Sequence, residues 1–266
     1  GVLTEDAYGT VAIGKAALAA LTSGEFNVAI GYEALALTTD SDYNTAVGFR
    51  ALKAQTGITG ATANTAVGYL AATGLTVATG TTAIGYLAGG SATMTGAVNT
   101  LIGSQAGTAL VAGTANVIIG ADTGHTTTDV DSTVIIGRSA GAANMTSAAD
   151  GTVAIGKSAL AALTSGGGNT AVGYTSGAAL VGGRQNTILG MEALPEDTEG
   201  DRSTAIGFQA LHEQKITSDA NSGNTGVGYA AGYENATGLN NTYIGYAAGL
   251  GAVGENNSDN TAVGKD

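Results

Sequence analysis

A six-residue phrase, Asn44-Thr45-Ala46-Val47-Gly48-Phe49, returns along the whole chain. Asn64 to Tyr69 and Asn169 to Tyr174 are copies, and Asn260 to Gly264 is the last. Fifteen marker glycines carry it: Gly14, Gly31, Gly48, Gly68, Gly85, Gly103, Gly120, Gly137, Gly156, Gly173, Gly190, Gly207, Gly228, Gly245 and Gly264. Nine of the fourteen spacings are 17 residues and the rest are 18 to 21. A short fixed period means a stack of equivalent coils, because each repeat buries its apolar face only against its neighbours. The expected fold is all-β: a parallel β-solenoid, or β-roll, of about fifteen coils of ~17 residues, in a single repeat domain over residues 1–266. At ~4.8 Å between stacked strands such a stack would be a rod on the order of 70 Å long.

The residue before each marker is aliphatic, and all but Leu189 are β-branched. Two residues earlier stands Val or Thr, and a small residue, usually Ala, lies between. This alternation predicts a short strand. It places Ile/Val with Val/Thr on one face and Ala with Gly on the other. The Ile/Val face reads as core-like. Four residues before the marker is Asn in ten coils, including Asn44, Asn64, Asn169 and Asn186, and Thr or Ser in the others. In register these would form a polar ladder bonded to the coils above and below.

Eight of the thirteen aromatics follow a marker directly: Tyr32, Phe49, Tyr69, Tyr86, Tyr174, Phe208, Tyr229 and Tyr246. One coil position makes them a stacked column, suited to a core edge or a subunit interface. Ser104, Ala121, Arg138 and Lys157 interrupt it. Three residues past the marker Ala is usual, and the next position is Leu or Gly, with Ala72 the exception. Leu-bearing coils would suit a helical turn and Gly-bearing coils would not. A shared backbone therefore predicts a second short strand or extended segment. Length varies in the polar remainder, at 56–63, 142–151 and 215–223. Gly9 to Gly24 recurs at Gly151 to Gly166 with one change, Ala16 against Ser158, so blocks of coils have been duplicated.

Composition excludes several functions. Net charge is −12 with nine Lys and Arg, which argues against nucleic acid and anionic membranes as partners. No apolar run approaches the ~20 residues that span a bilayer. There is no Cys, so thiolate metal sites are out. His125 and His212 occupy non-equivalent positions, which argues against zinc and against a Ser-His-Asp triad. Gly156-Lys157-Ser158 lacks the phosphate-loop context, since its twin is Gly14-Lys15-Ala16. No enzyme and no cofactor is expected. The one weak metal candidate is calcium at Glu196, Asp197, Glu199 and Asp201, the densest acidic loop, ahead of Asp40/Asp42 and Asp129/Asp131.

Thr152 to Ala159 reads Thr-Val-Ala-Ile-Gly-Lys-Ser-Ala. With Asn-Thr-Ala-Val-Gly-Tyr, it resembles the head repeats of trimeric autotransporter adhesins, although the period here is longer. The whole unit at 27–35 and 44–52 looks still more like repeats of bacteriophage tail-fibre proteins. The resemblance implies a homotrimer of parallel rolls that buries an apolar stripe on a shared axis. It implies an extracellular fibre of a virion tail or cell surface that acts in host attachment. Its partners would be itself, other fibre or virion proteins, and a surface glycan or protein receptor. The chain opens at Gly1 within the repeat and reads as a fragment of a longer fibre. A bacterial surface adhesin is the alternative. An ice-binding solenoid is weaker, because the recurrent Thr shares its face with the core-like Ile.

Overall fold

Completion of one coil every 17 or so residues, with the strand returning in the same direction, sets the architecture. A computed structural model describes residues 7–90, 93–250 and 257–265. The fold is an all-β parallel β-solenoid with almost no helix. The chain divides into two compact units, Gly1–Ser132 and Thr133–Asp266.

The first unit contains β1 (Val11–Ile13), β2 (Val28–Ile30), β3 (Asp40–Asp42), β4 (Thr45–Val47), β5 (Thr59–Ala61), β6 (Thr65–Val67), β7 (Thr82–Ile84), β8 (Thr100–Ile102) and β9 (Val117–Ile119). All but β3 and β5 lie side by side in chain order, and β3 pairs with β5 in a small second sheet. The second unit contains β10 (Val134–Ile136), β11 (Val153–Ile155), β12 (Thr170–Val172), β13 (Thr187–Leu189), β14 (Gly200–Asp201), β15 (Thr204–Ile206), β16 (Ala220–Asn221), β17 (Thr225–Val227), β18 (Thr242–Ile244) and β19 (Thr261–Val263). Here β14 pairs with β16, and the others form the ladder. A 3-10 turn occupies Ser147–Ala149. Like pairs with like: Thr45 with Thr65, Ala46 with Ala66 and Val47 with Val67. The 20-residue spacing between Gly48 and Gly68 leaves this register intact, because its extra residues fall outside the paired strands, on either side of β5.

The face expected to be core-like is the outward one. In the strands away from the chain ends the middle residue is buried and the two ends are not. Ala29, Ala46, Ala66 and Ala83 are fully buried, whereas Ile30 and Ile84 are each 37% exposed. The reason is the thinness of the coil. Its interior already holds the Asn row, an Ala row (Ala34, Ala51, Ala71) and a Leu row (Leu35, Leu52). A column of Ala fits the space that remains.

The segment after the marker is not a second strand. It is a run of turns in which alternate residues take positive φ: 53° at Glu33 and 49° at Leu35, 56° at Arg50 and 50° at Leu52. Bonds between coils survive without strand geometry, as Leu35 N donates to Ala51 O at 3.0 Å and Leu52 N to Ala71 O at 3.1 Å. Positive φ in a non-glycine residue costs about 1–3 kcal/mol. Complete burial of a Leu side chain returns about 1.5–3 kcal/mol. That balance explains why this position holds either Leu or Gly. Where it is Gly, a neighbouring strand centre is enlarged. A Cβ on Gly107 would meet Leu101 Cδ2 at 2.9 Å and Ile118 Cδ1 at 3.4 Å, and one on Gly177 would meet Ile188 Cδ1 at 2.8 Å. Volume moves between the two rows while the coil keeps its size.

Candidate functional site

The outward strand face is a regular surface in each unit. Each coil contributes Thr or Val, then Ile, Val or Leu, and no charged residue stands in either row. Val67 and Ile84 are more than a third exposed, and Leu189 and Ile244 more so. Next along each coil comes the aromatic position. Tyr32, Phe49, Tyr69 and Tyr86 form one stack with ring centroids 5.2, 5.2 and 5.5 Å apart. Phe208, Tyr229 and Tyr246 form another, at 5.3 and 4.9 Å. Tyr86 is 52% exposed. Arg50 and Lys53 flank the first stack and both reach Glu33, at 2.8 and 2.7 Å. Hydrogen bonds from Lys53, Tyr32 and Arg50 hold the Glu33 carboxyl down at about 2. Lys157 caps Tyr174 at 5.3 Å from the ring centre.

The Asn row faces inward. Asn44 N and Nδ2 both donate to Asn27 Oδ1, at 2.9 and 3.0 Å. Asn64 N donates to Asn44 Oδ1 at 3.1 Å, and Asn186 N to Asn169 Oδ1 at 2.9 Å. All five residues are buried. They satisfy the interior backbone and are shut off from any ligand.

The acidic loop at 196–201 does not converge. Asp197 is inside the coil, where it accepts from Gly200 N at 3.0 Å and from Gln214 Nε2. Glu196 is outside and pairs with Lys215 at 2.6 Å. Asp201 Oδ1 accepts from Arg184 N at 2.8 Å. Among the described residues, Glu196, Asp197, Glu199 and Asp201 form no group with metal-ligand spacing. Neighbours in sequence are separated because the chain bends through 196–199, which buries Asp197 and leaves Glu196 and Glu199 partly exposed. Asp42 and Asp131 each accept a backbone N–H from the coil below, at 2.8 and 2.6 Å.

The structure does gather Glu196, His212 and Glu213, whose ligand atoms lie within 4.8 Å of one another. In the sequence His212 looks isolated. The available signal is that Glu196 and Glu213 are 17 residues apart, one coil pitch. His212 stacks on Tyr233 at 4.7 Å and its Nδ1 lies 3.2 Å from Glu213 Oε1. The ammonium of Lys215 already sits on Glu196, so the cluster carries its own cation. His125 is separate, with Nδ1 3.0 Å from Asp122 O.

Burial pushes the Asp197 carboxyl above the ordinary carboxylate range, against the lowering effect of its Gln214 and backbone hydrogen bonds. The folded state then binds a proton more tightly than the unfolded chain. Stability from this group is complete below the unfolded pKa of ~3.9 and is lost as pH rises through the folded pKa. Asp197→Asn is therefore expected to raise the melting temperature relative to the parent, by a margin that widens from pH 4 upward. Parallel thermal melts at stepped pH measure it; a constant margin would contradict it.

Comparison with family models, with curated proteins and with solved structures finds no match.

Proposed function

We propose that the chain is a structural and adhesive part of an extracellular fibre, the shaft or head of a phage tail fibre that serves host attachment, assembled as a homotrimer. A bacterial trimeric surface adhesin is the alternative setting. The observation that carries the reading is the outward strand face: exposed aliphatic and Thr rows that hold no charged residue in a chain of net charge −12, with aromatic stacks beside them. Apolar surface of that regularity marks an interaction site. A face with one coil's repeat is best matched by another face with the same repeat, which is a second copy in parallel register. A stable interface needs about 800 Å² from each partner. A half-exposed tyrosine offers on the order of 100 Å², so the first aromatic stack with its aliphatic row approaches that need.

Light scattering at several concentrations is expected to give a mass near three times 25.7 kDa. The double variant Ile84→Lys with Ile102→Lys sets charges on the face and is expected to shift that mass toward one chain. A parent protein that is monomeric throughout would overturn the shared-axis fibre.

One observation favours a second reading. The Thr row shares its face with Ile, which counted against ice binding while that face read as core, and the face is exposed. If the protein is monomeric, the uncharged Thr and Ile/Val grid is open to ordered water. Freezing hysteresis in the monomer would then support ice binding, and its absence would end that reading.

A further inference from the structure

Three aspartates show what the backbone accepts at one coil position. Six residues before the marker, Glu25 N, Thr114 N and Arg184 N each donate to a carboxylate one coil later. The acceptors are Asp42, Asp131 and Asp201, at 2.8, 2.6 and 2.8 Å. Gly167 holds the same position in the coil before Arg184. The residue one coil above its N–H is thus Arg184, which has no acceptor. The guanidinium of Arg184 reaches onward, to Asp201 at 3.5 Å and Asp219 at 3.1 Å.

Beside this N–H lies an open groove of about 530 Å³, within the range of small-ligand sites. It exists because side chains are missing. Gly167, Gly168 and Gly182 line it without side chains of their own, Ala148 from the 3-10 turn of the 19-residue coil lines it too, and the Glu199 carboxylate lies against Gly182. Arg184, Gln185 and Ser165 supply the polar edge. Gln185 accepts from Arg202 Nε at 3.0 Å. Arg184 is the one cationic side chain among the lining residues. Two carboxylates hold Arg184 in place, so its position is set before a ligand arrives, which lowers the ordering cost of binding.

We propose that this groove binds an acidic sugar, with the sugar carboxylate on Gly167 N–H and Arg184, where other coils place an aspartate, and its hydroxyls on Ser165 and Gln185. A charge-assisted bond from guanidinium to carboxylate is stronger than a neutral one, which selects acidic over neutral sugars. The polar lining, with no aromatic or aliphatic floor, selects a hydroxylated ligand over an apolar one. Its place in host attachment rests on the fibre reading above; the binding does not.

The test is saturation-transfer NMR on the full chain, with glucuronate and N-acetylneuraminate as probes and glucose and acetate as controls. At least one acidic sugar is expected to bind saturably, with glucose and acetate at least about tenfold weaker. Ala148→Trp, which fills an exposed wall of the groove, is expected to abolish the signal. Arg184→Gln is expected to weaken it by about tenfold or more. No saturable binding by either acidic sugar, equal binding by acetate, or full binding by Ala148→Trp would each overturn the proposal. Mass by light scattering on the same samples keeps the two readings apart. A trimer that ignores acidic sugars refutes the groove alone, and a monomer that binds them refutes the shared axis alone.

Discussion

Gly173→Ala should cost about 4 kcal/mol or more, enough to melt the ladder around it. Gly173 has φ +143°, in a region that L residues rarely enter. Strain alone accounts for about 1–3 kcal/mol. The rest is steric. A Cβ at this position would run into the carbonyl oxygen of Gly190 and would lie 2.6 Å from its carbonyl carbon. Those are backbone atoms, so no rotamer change relieves the clash. The coil cannot shift either, because Gly173 N donates to Ile155 O at 2.8 Å and Gly190 N to Val172 O at 2.9 Å. The same stacking recurs at Gly31, Gly48, Gly68 and Gly207. Gly151→Ala is the control. Its φ is +69°, but nothing lies within 4 Å of the added carbon. That substitution should cost only the strain, about 1–2 kcal/mol. Guanidinium melts followed by circular dichroism measure both, and equal losses would refute the backbone-contact argument.

The marker glycines make the ladder legible in the sequence itself. A period of 17 with one small apolar strand per coil leaves few folds besides a parallel solenoid. Which strand face points inward is not legible there. Alternation over three residues is symmetric between inside and outside, and hydrophobicity favours Ile over Ala. The available space decides it: the coil is too thin for Ile30 and Val47 to point inward beside Leu35 and Leu52. The turn after the marker is hidden for a related reason. Propensity scales rate Leu as a helix former, yet Leu35 and Leu52 sit at positive φ and remain because they are buried. The legible clue is that Leu exchanges with Gly at this position, a trade that marks a left-handed backbone.

The acidic residues show the same logic at the site. Glu196 and Asp197 are adjacent in sequence and end on opposite sides of the coil wall. Glu196 and Glu213 are one pitch apart and meet. In a solenoid, separation by whole coils predicts contact better than adjacency does. Asp42, Asp131 and Asp201 are legible only in that frame, as residues 17 after the amides they cap.

Asn169→Ala should destabilise the second unit by about 3–5 kcal/mol. Asn169 is fully buried and both its side-chain polar atoms are used. Its Oδ1 accepts from Asn186 N at 2.9 Å and from Asn186 Nδ2 at 3.1 Å. Its Nδ2 donates to Gly166 O and Gly183 O, each at 2.8 Å. Alanine keeps the fold of the strand but strands these groups away from water, and each orphan costs about 1–3 kcal/mol. The chain contains a version of the experiment. Thr81 and Thr152 hold the same coil position, and each has a buried hydroxyl without a partner. Asn169→Thr leaves the same groups unbonded and buries its own hydroxyl unpaired, as at Thr81 and Thr152, so it should recover none of the loss through hydrogen bonds. The polar row is held for backbone satisfaction if both Ala and Thr fall well below the parent. If Asn169→Leu, which fills the space without bonds, proves as stable as the parent, packing rather than hydrogen bonding holds the interior together, and the ladder is incidental to the fold.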